Sequence, residues 1–200
     1  MSEPIEFYFD FSSPYAYLAS EKIDDLAAKY GRKVKWRPIL LGPLFKASGS
    51  APLTEIPLKG DYSRHDFARS ARYMGLPFCM PERFPLATQV AARAYYWLHE
   101  RECGQARAFA HAVFRALFVH NRDVSDPAVV LELALEQGAD SAALAEALKS
   151  EPLKNRLRAE GEAALARGVF GAPFFFVDQE PFWGADRLPQ LEKWLETGGF

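Results

Sequence analysis

Two hundred residues, 49% of them hydrophobic, suffice for one domain or for a small domain carrying a large insertion. A formal net charge of −2, with basic and acidic residues interspersed, leaves neither a nucleic-acid footprint nor a polybasic membrane patch. No apolar run is long enough to cross a bilayer, and the Met-Ser-Glu-Pro-Ile-Glu start lacks signal-peptide character, so a cytoplasmic protein is expected.

Ile5, Phe7, Phe9 and Phe11 alternate with Glu6, Tyr8 and Asp10, the period of a strand. Ala16, Ala19, Ile23, Leu26, Ala27 and Tyr30 then recur at helical spacing. Ser13 is placed to cap that helix and Pro14 to open its first turn, where a missing N–H costs nothing. After Gly31, Lys33 to Arg37 alternates again, which gives the seed of a parallel βαβ unit. Leu41 to Pro57, rich in Gly, Pro and Ser, reads as a long surface loop. Helical segments follow over Asp61–Met74, Ala87–Glu102 and Gln105–Val119, then one capped by Asp126 with Pro127 at its first position. Two more cover Ser141–Lys149 and Glu151–Arg167. Strand character returns at Pro173–Val177, a short run at Pro181–Trp183 follows, and a final helix opens near Asp186, its expected cap. The reading is an α/β fold, βαβ and ββα at the two chain ends, split by a large all-helical insertion. Residues 1–40 and 166–200 would form the sheet-bearing domain, and 41–165 the loop plus inserted helical domain.

Cys79 and Cys103 form no CxxC pair, so reduced thiols are expected rather than a disulfide. Four histidines show no metal-ligand spacing, and no metal is expected. Three features fall at the sheet's edges: Ser13-Pro14, Gly171-Ala172-Pro173 and Gly184-Ala185-Asp186-Arg187. Taken singly, each is turn punctuation. The first also places a hydroxyl where free backbone N–H groups and a positive dipole end favour an anion.

In this order the three resemble the thioredoxin arrangement, where a Cys-X-X-Cys helix start faces a cis-proline. Here the corresponding residues are Ser13-Pro14-Tyr15-Ala16, which excludes dithiol chemistry at that position. Three further stretches extend the match, Asn121 to Asp126, Val169 to Phe175 and Phe182 to Leu188. With the Phe-Tyr-Phe-Asp-Phe-Ser-Ser-Pro-Tyr-Ala-Tyr-Leu start, the chain resembles the 2-hydroxychromene-2-carboxylate isomerases and kappa-class glutathione transferases. That family has a DsbA-like, thioredoxin-like fold, and its members are usually homodimers. The resemblance implies a glutathione-dependent cis–trans isomerase of aromatic catabolism, working on a small aromatic substrate by reversible thiolate addition. A glutathione transferase that keeps its conjugate is the nearest alternative, and a non-enzymatic binding module the third. The resemblance further makes Ser13 the catalytic residue beside the glutathione sulfur. It assigns the tripeptide backbone to Ala172, held by Pro173, and its γ-glutamyl end to Ala185 and Asp186. Lys59 matches a lysine near the glycyl carboxylate, and Asn121–Asp126 matches a loop near the reacting substrate.

Overall fold

The computed structural model describes residues 3–200; Met1 and Ser2 of the amino-terminal stretch lie outside the described residues. Strand β1 (Ile5–Phe9) leads through a tight turn into helix α1 (Pro14–Lys29), which returns the chain to β2 (Val34–Pro38), parallel to β1. Strands β3 (Phe174–Val177) and β4 (Glu180–Trp183) add antiparallel on the other side, in the order β2-β1-β3-β4. Between β2 and β3 run helices α2 (Leu41–Ser48), α3 (Lys59–Tyr73), α4 (Gln89–His99) and α5 (Cys103–Phe118). They continue with α6 (Pro127–Glu136), α7 (Ser141–Lys149) and α8 (Glu151–Ala166), and α9 (Leu188–Thr197) closes the chain. The α/β fold with a helical insertion is therefore the observed one. No helix among the described residues is long and apolar enough to cross a membrane.

Alternation along β1 decides which layer covers which face. Ile5, Phe7 and Phe9 are fully buried on the face covered by α1, α4 and α5, where Phe7 stacks on Phe175 at 5.2 Å and meets Trp36 edge-on at 5.1 Å. Phe11, just past the strand, joins the same cluster against Phe114 at 5.0 Å. Rings of this size each remove a large apolar area from water, and edge-on or offset contacts add to that. Tyr8, Phe174 and Phe176 bury on the opposite face, under Leu44 of α2 and Ala164 of α8. Charges on that face are paired: Arg37 bridges Glu6 and Glu160, and Arg167 joins Glu6 as well.

One expectation fails in this region. Leu41 to Pro57 is not a long loop but helix α2 followed by a 3₁₀ turn at Leu53–Glu55. Gly42 and Pro43 fall inside the first turn of α2, where their usual helix-breaking cost is small, and Gly49 ends it in the left-handed conformation (φ 68°). Elsewhere Asp126 caps α6 through Ala128 N–H with Pro127 first, and α7 spans Ser141–Lys149 as expected.

Helix α1 is clamped to the insertion by a half-buried ion group. Arg115 of α5 grips both oxygens of Glu21, at 2.8 and 2.6 Å. His111 Nδ1 lies 3.5 Å away, at the limit of hydrogen-bond reach, so the arginine fork is the principal partner. Burial alone would raise the Glu21 carboxyl, but the nearby His111 ring and the Arg115 fork outweigh it and hold it at about 2, below the ordinary 4.5. A folded-state value below the unfolded one stabilises the protein above the unfolded pKa, and that stability fades as pH falls toward 2. Glu21→Gln should therefore lose roughly 1–2 kcal/mol at neutral pH, allowing for solvent around Arg115. Denaturant midpoints of the two proteins should converge between about pH 4.5 and 2; a difference independent of pH would contradict the ionic origin.

Candidate active site

Ser13 is 95% out of solvent contact, at 5% exposure, although it belongs to a surface turn. Its Oγ accepts the Ala16 N–H at 3.1 Å, which caps α1, and donates to the Ala172 carbonyl at 3.1 Å. The hydroxyl thus joins two chain segments 159 residues apart. The Ala172-Pro173 peptide is cis, and Pro173 returns its carbonyl to Gly184 N–H at 3.0 Å. Residues 171–173, 183–187 and the start of α1 therefore meet at one edge of the sheet.

They open onto a cleft of about 1620 Å³. Ser13, Ala172, Pro173, Ala185 and Asp186 all line it. Its remaining walls come from the body of α1, α2, the 3₁₀ turn, α3, the Phe84–Gln89 segment and the start of α9, with Phe45, Phe67, Met74 and Phe84 giving an apolar lobe. Lys59 does not line it; it is exposed at the start of α3, one turn ahead of Tyr62, which does. Asn121 to Asp126 also lies outside the walls. Instead Asn121 accepts the Glu82 N–H at 3.0 Å and Asp123 pairs with Arg83. That loop shapes the segment whose Phe84, Pro85 and Leu86 reach the cleft.

Asp186 departs from its expected role as the cap of the last helix. A short 3₁₀ turn (Ala185–Arg187) precedes α9, and no side chain caps either element. The Asp186 carboxylate stays 74% exposed beside Arg187, available at the cleft mouth. Gly184 makes this turn: its φ of 112° suits glycine alone, and a Cβ there would collide with Asp186 Oδ1. Gly171 is required for a different reason, because the Trp183 indole lies over it.

Sequence reasoning missed two elements of the site. Asp10, placed on the polar side of β1, is 4% exposed and accepts from Ser12 N–H (2.9 Å), Leu41 N–H (2.7 Å) and the Thr88 hydroxyl (2.6 Å). An Asp two residues before Ser12 is an Asx-turn signal, which could have found the first of these bonds. The other is Tyr15, whose hydroxyl donates to Asp66 Oδ2 of α3 at 2.5 Å inside the cleft. Nothing in the local sequence marks that pair, which is 51 residues apart.

A thioredoxin-type sheet whose helix-start dithiol is replaced by a serine hydroxyl and an alanine defines the class: a thiol-free site on a redox scaffold. The family model described as a DSBA-like thioredoxin domain matches residues 4–196. A 2-hydroxychromene-2-carboxylate isomerase from Sphingobium xenophagum is 35% identical over 197 residues, covering 98% of this chain and 99% of the relative. A kappa 2 glutathione S-transferase from Caenorhabditis elegans is 24% identical over 204 residues, covering 96% and 91%. A solved 2-hydroxychromene-2-carboxylate isomerase superposes with a TM-score of 0.87 at 29% identity, over 96% of this chain and 94% of the other. The chain belongs to the DSBA-like thioredoxin domain family and, within it, to the 2-hydroxychromene-2-carboxylate isomerases. It is an enzyme of that group, related more distantly to the kappa transferases.

The Trp183 contact can be tested directly. A Cβ at Gly171 would come within 2.6 Å of Trp183 Nε1, so Gly171→Ala should expel the indole from the cleft wall. Trp183 fluorescence, compared with that of Trp183→Phe controls, should shift to longer wavelength; an unchanged spectrum would refute the packing account.

Proposed function

We propose that the enzyme catalyses the glutathione-dependent cis–trans isomerisation of 2-hydroxychromene-2-carboxylate, or a close aromatic relative, to trans-o-hydroxybenzylidenepyruvate. The observation that carries the reading is the Ser13 hydroxyl, buried at the start of α1 and 3.1 Å from the Ala172 carbonyl. Those groups suit a peptide thiol. Ala172 offers a carbonyl acceptor just ahead of β3, much as an exposed strand edge would. Beside an anionic sulfur the Ser13 proton would turn from the Ala172 carbonyl to the sulfur, and that carbonyl would accept a ligand N–H in its place. Hydrogen bonding and the dipole at the helix start both favour the anion, lowering a thiol pKa whose usual value is about 8.5.

Bound glutathione supplies a thiolate nucleophile that is regenerated in each turnover. The chain's own residues bind and orient. Asp186 meets the γ-glutamyl ammonium at the cleft mouth, and the turn beginning at Ala185 offers its free N–H groups to the adjoining carboxylate. Pro173 fixes the backbone of Ala172, and Lys59, on its long stem, is the cation offered to the glycyl carboxylate. The apolar lobe around Phe45, Phe67 and Phe84 holds the aromatic ring and excludes water from it. A cleft of 1620 Å³ exceeds the usual 300–1,000 Å³ of a single-ligand pocket, which accords with two ligands held together.

Ser13→Ala tests this. Loss of a buried hydroxyl donor to the developing thiolate should lower glutathione-dependent kcat/KM by about 10²-fold or more, in the range of removed charge-stabilising donors. Loss of the cap should separately cost roughly 1 kcal/mol of stability. The ultraviolet absorbance of bound thiolate should titrate at higher pH in the variant. Full activity in Ser13→Ala would remove the role assigned to the hydroxyl. A stable thioether product from the wild type would replace isomerase by transferase.

A further inference from the structure

The hydrogen bond between Tyr15 and Asp66 has a direction, and that direction limits what the cleft can recognise. Tyr15 follows Pro14 in the first turn of α1, and its ring meets Phe67 edge-on at 4.9 Å. Its hydroxyl lies 2.5 Å from Asp66 Oδ2. Asp66 also accepts from Arg69 and from Ser70, while Arg69 reaches the Tyr62 hydroxyl at 2.8 Å. Asp66 is thus held from several sides within the same cleft wall.

Protonation states follow from these contacts. Burial raises the Asp66 carboxyl, but the bonds from Tyr15, Arg69 and Ser70 outweigh it and keep it below the ordinary carboxylate value. Burial first, and the Asp66 bond second, push the Tyr15 phenol far above its ordinary value. The pair is a phenol and a carboxylate, with the single phenolic proton on the line between them. A phenol oxygen donates once and otherwise accepts. With its proton committed to Asp66, Tyr15 has only lone pairs left for a ligand.

We propose that Asp66 is a positioning residue that holds Tyr15 as an obligate hydrogen-bond acceptor, so that the cleft selects aromatic substrates bearing a hydroxyl donor. The choice of ligand rests on the isomerase reading. Its ring-opened substrate and product both carry a phenol, and the cyclic form carries a hemiketal hydroxyl. Electrophilic aromatics without a donor gain nothing from Tyr15, and a polar atom left unpaired in a half-buried site counts against them.

Binding of stable ligands to the whole protein tests this without turnover. Calorimetric Kd values are measured for trans-o-hydroxybenzylidenepyruvate, for its analogue lacking the hydroxyl and for the o-methoxy analogue. The wild type should prefer the hydroxylated compound over the unsubstituted one by about three- to tenfold, as one net hydrogen bond allows. The isosteric Tyr15→Phe should erase that preference. Asp66→Ala frees the phenolic proton, so it should weaken the preference and tighten binding of the methoxy compound, which accepts but cannot donate. A purely structural role for Asp66 would shift the melting temperature without altering these ratios. A wild-type ratio near one, a ratio unchanged in Tyr15→Phe, or no gain for the methoxy compound in Asp66→Ala would each overturn the proposal. Failure of every analogue to bind would overturn it too. An intact pattern of ratios in a protein with no glutathione-dependent isomerisation would instead refute the proposed reaction and leave the acceptor role standing.

Discussion

The cleft depends on one buried carboxylate. Asp10 follows directly on β1 with 4% of its surface exposed, and a polar group so placed is costly unless its oxygens are fully engaged. They are engaged by donors from three separate segments: Ser12 in the turn before α1, Leu41 at the start of α2 and Thr88 ahead of α4. Bonds to an ionised acceptor are about twice as strong as neutral ones. The turn that presents Ser13 and two walls of the cleft are therefore fixed to a single atom group. Thr88 shows the preference plainly. It precedes α4 as its N-terminal flanking residue, yet its hydroxyl goes to Asp10 and caps nothing.

That hub lets the aromatic core and the site share one scaffold, with Leu26, Ala185 and Leu188 belonging to both. Phe7 and Phe9 of β1 stack into the hydrophobic layer, while the polar end of the same strand organises the cleft. The second wall is set by similar means. Asn121 and Asp123 fasten the Glu82–Arg83 stretch, and the next residues, Phe84 to Leu86, enter the apolar lobe. Carboxylates and amides thus hold segments that have no secondary structure of their own, and the apolar side chains those segments carry face the ligand space.

Much of this was legible because it is local. The alternation of β1, the Ser13-Pro14 start of α1, the Asp126-Pro127 start of α6 and the bounds of α7 each depend on residues within a turn of one another. Helix α2 was not legible. Gly42, Pro43 and Gly49 signal a loop by composition, and only their positions, in the first turn and just past the last, make them compatible with a helix. The Asp10 hub was illegible for another reason, since its partners at Leu41 and Thr88 are 31 and 78 residues away. Asp186 misled because acidic residues commonly cap helices. Here Gly184, at φ 112°, starts a 3₁₀ turn that no side chain caps, and the Asp186 carboxylate stays exposed beside Arg187 at the cleft mouth.

Replacing both thiols of the turn changes what kind of chemistry the scaffold supports. A cysteine at a helix start becomes a thiolate and attacks; a serine in the same place does not ionise at ordinary pH and keeps its proton to donate. Ala16, fully buried where a resolving thiol would stand, leaves no partner for a disulfide. The favourable electrostatics of the helix start remain, so under the proposed reading the site would stabilise a negative sulfur that arrives with a ligand. The Ser13 bond to the Ala172 carbonyl fits this division of labour. It satisfies both groups while no ligand is bound, and under the proposed reading a partner that brings an N–H for the carbonyl and an anion for the hydroxyl would leave both satisfied after the exchange. A lone thiol offers the second and a lone peptide offers the first, whereas a thiol-bearing peptide offers both at once.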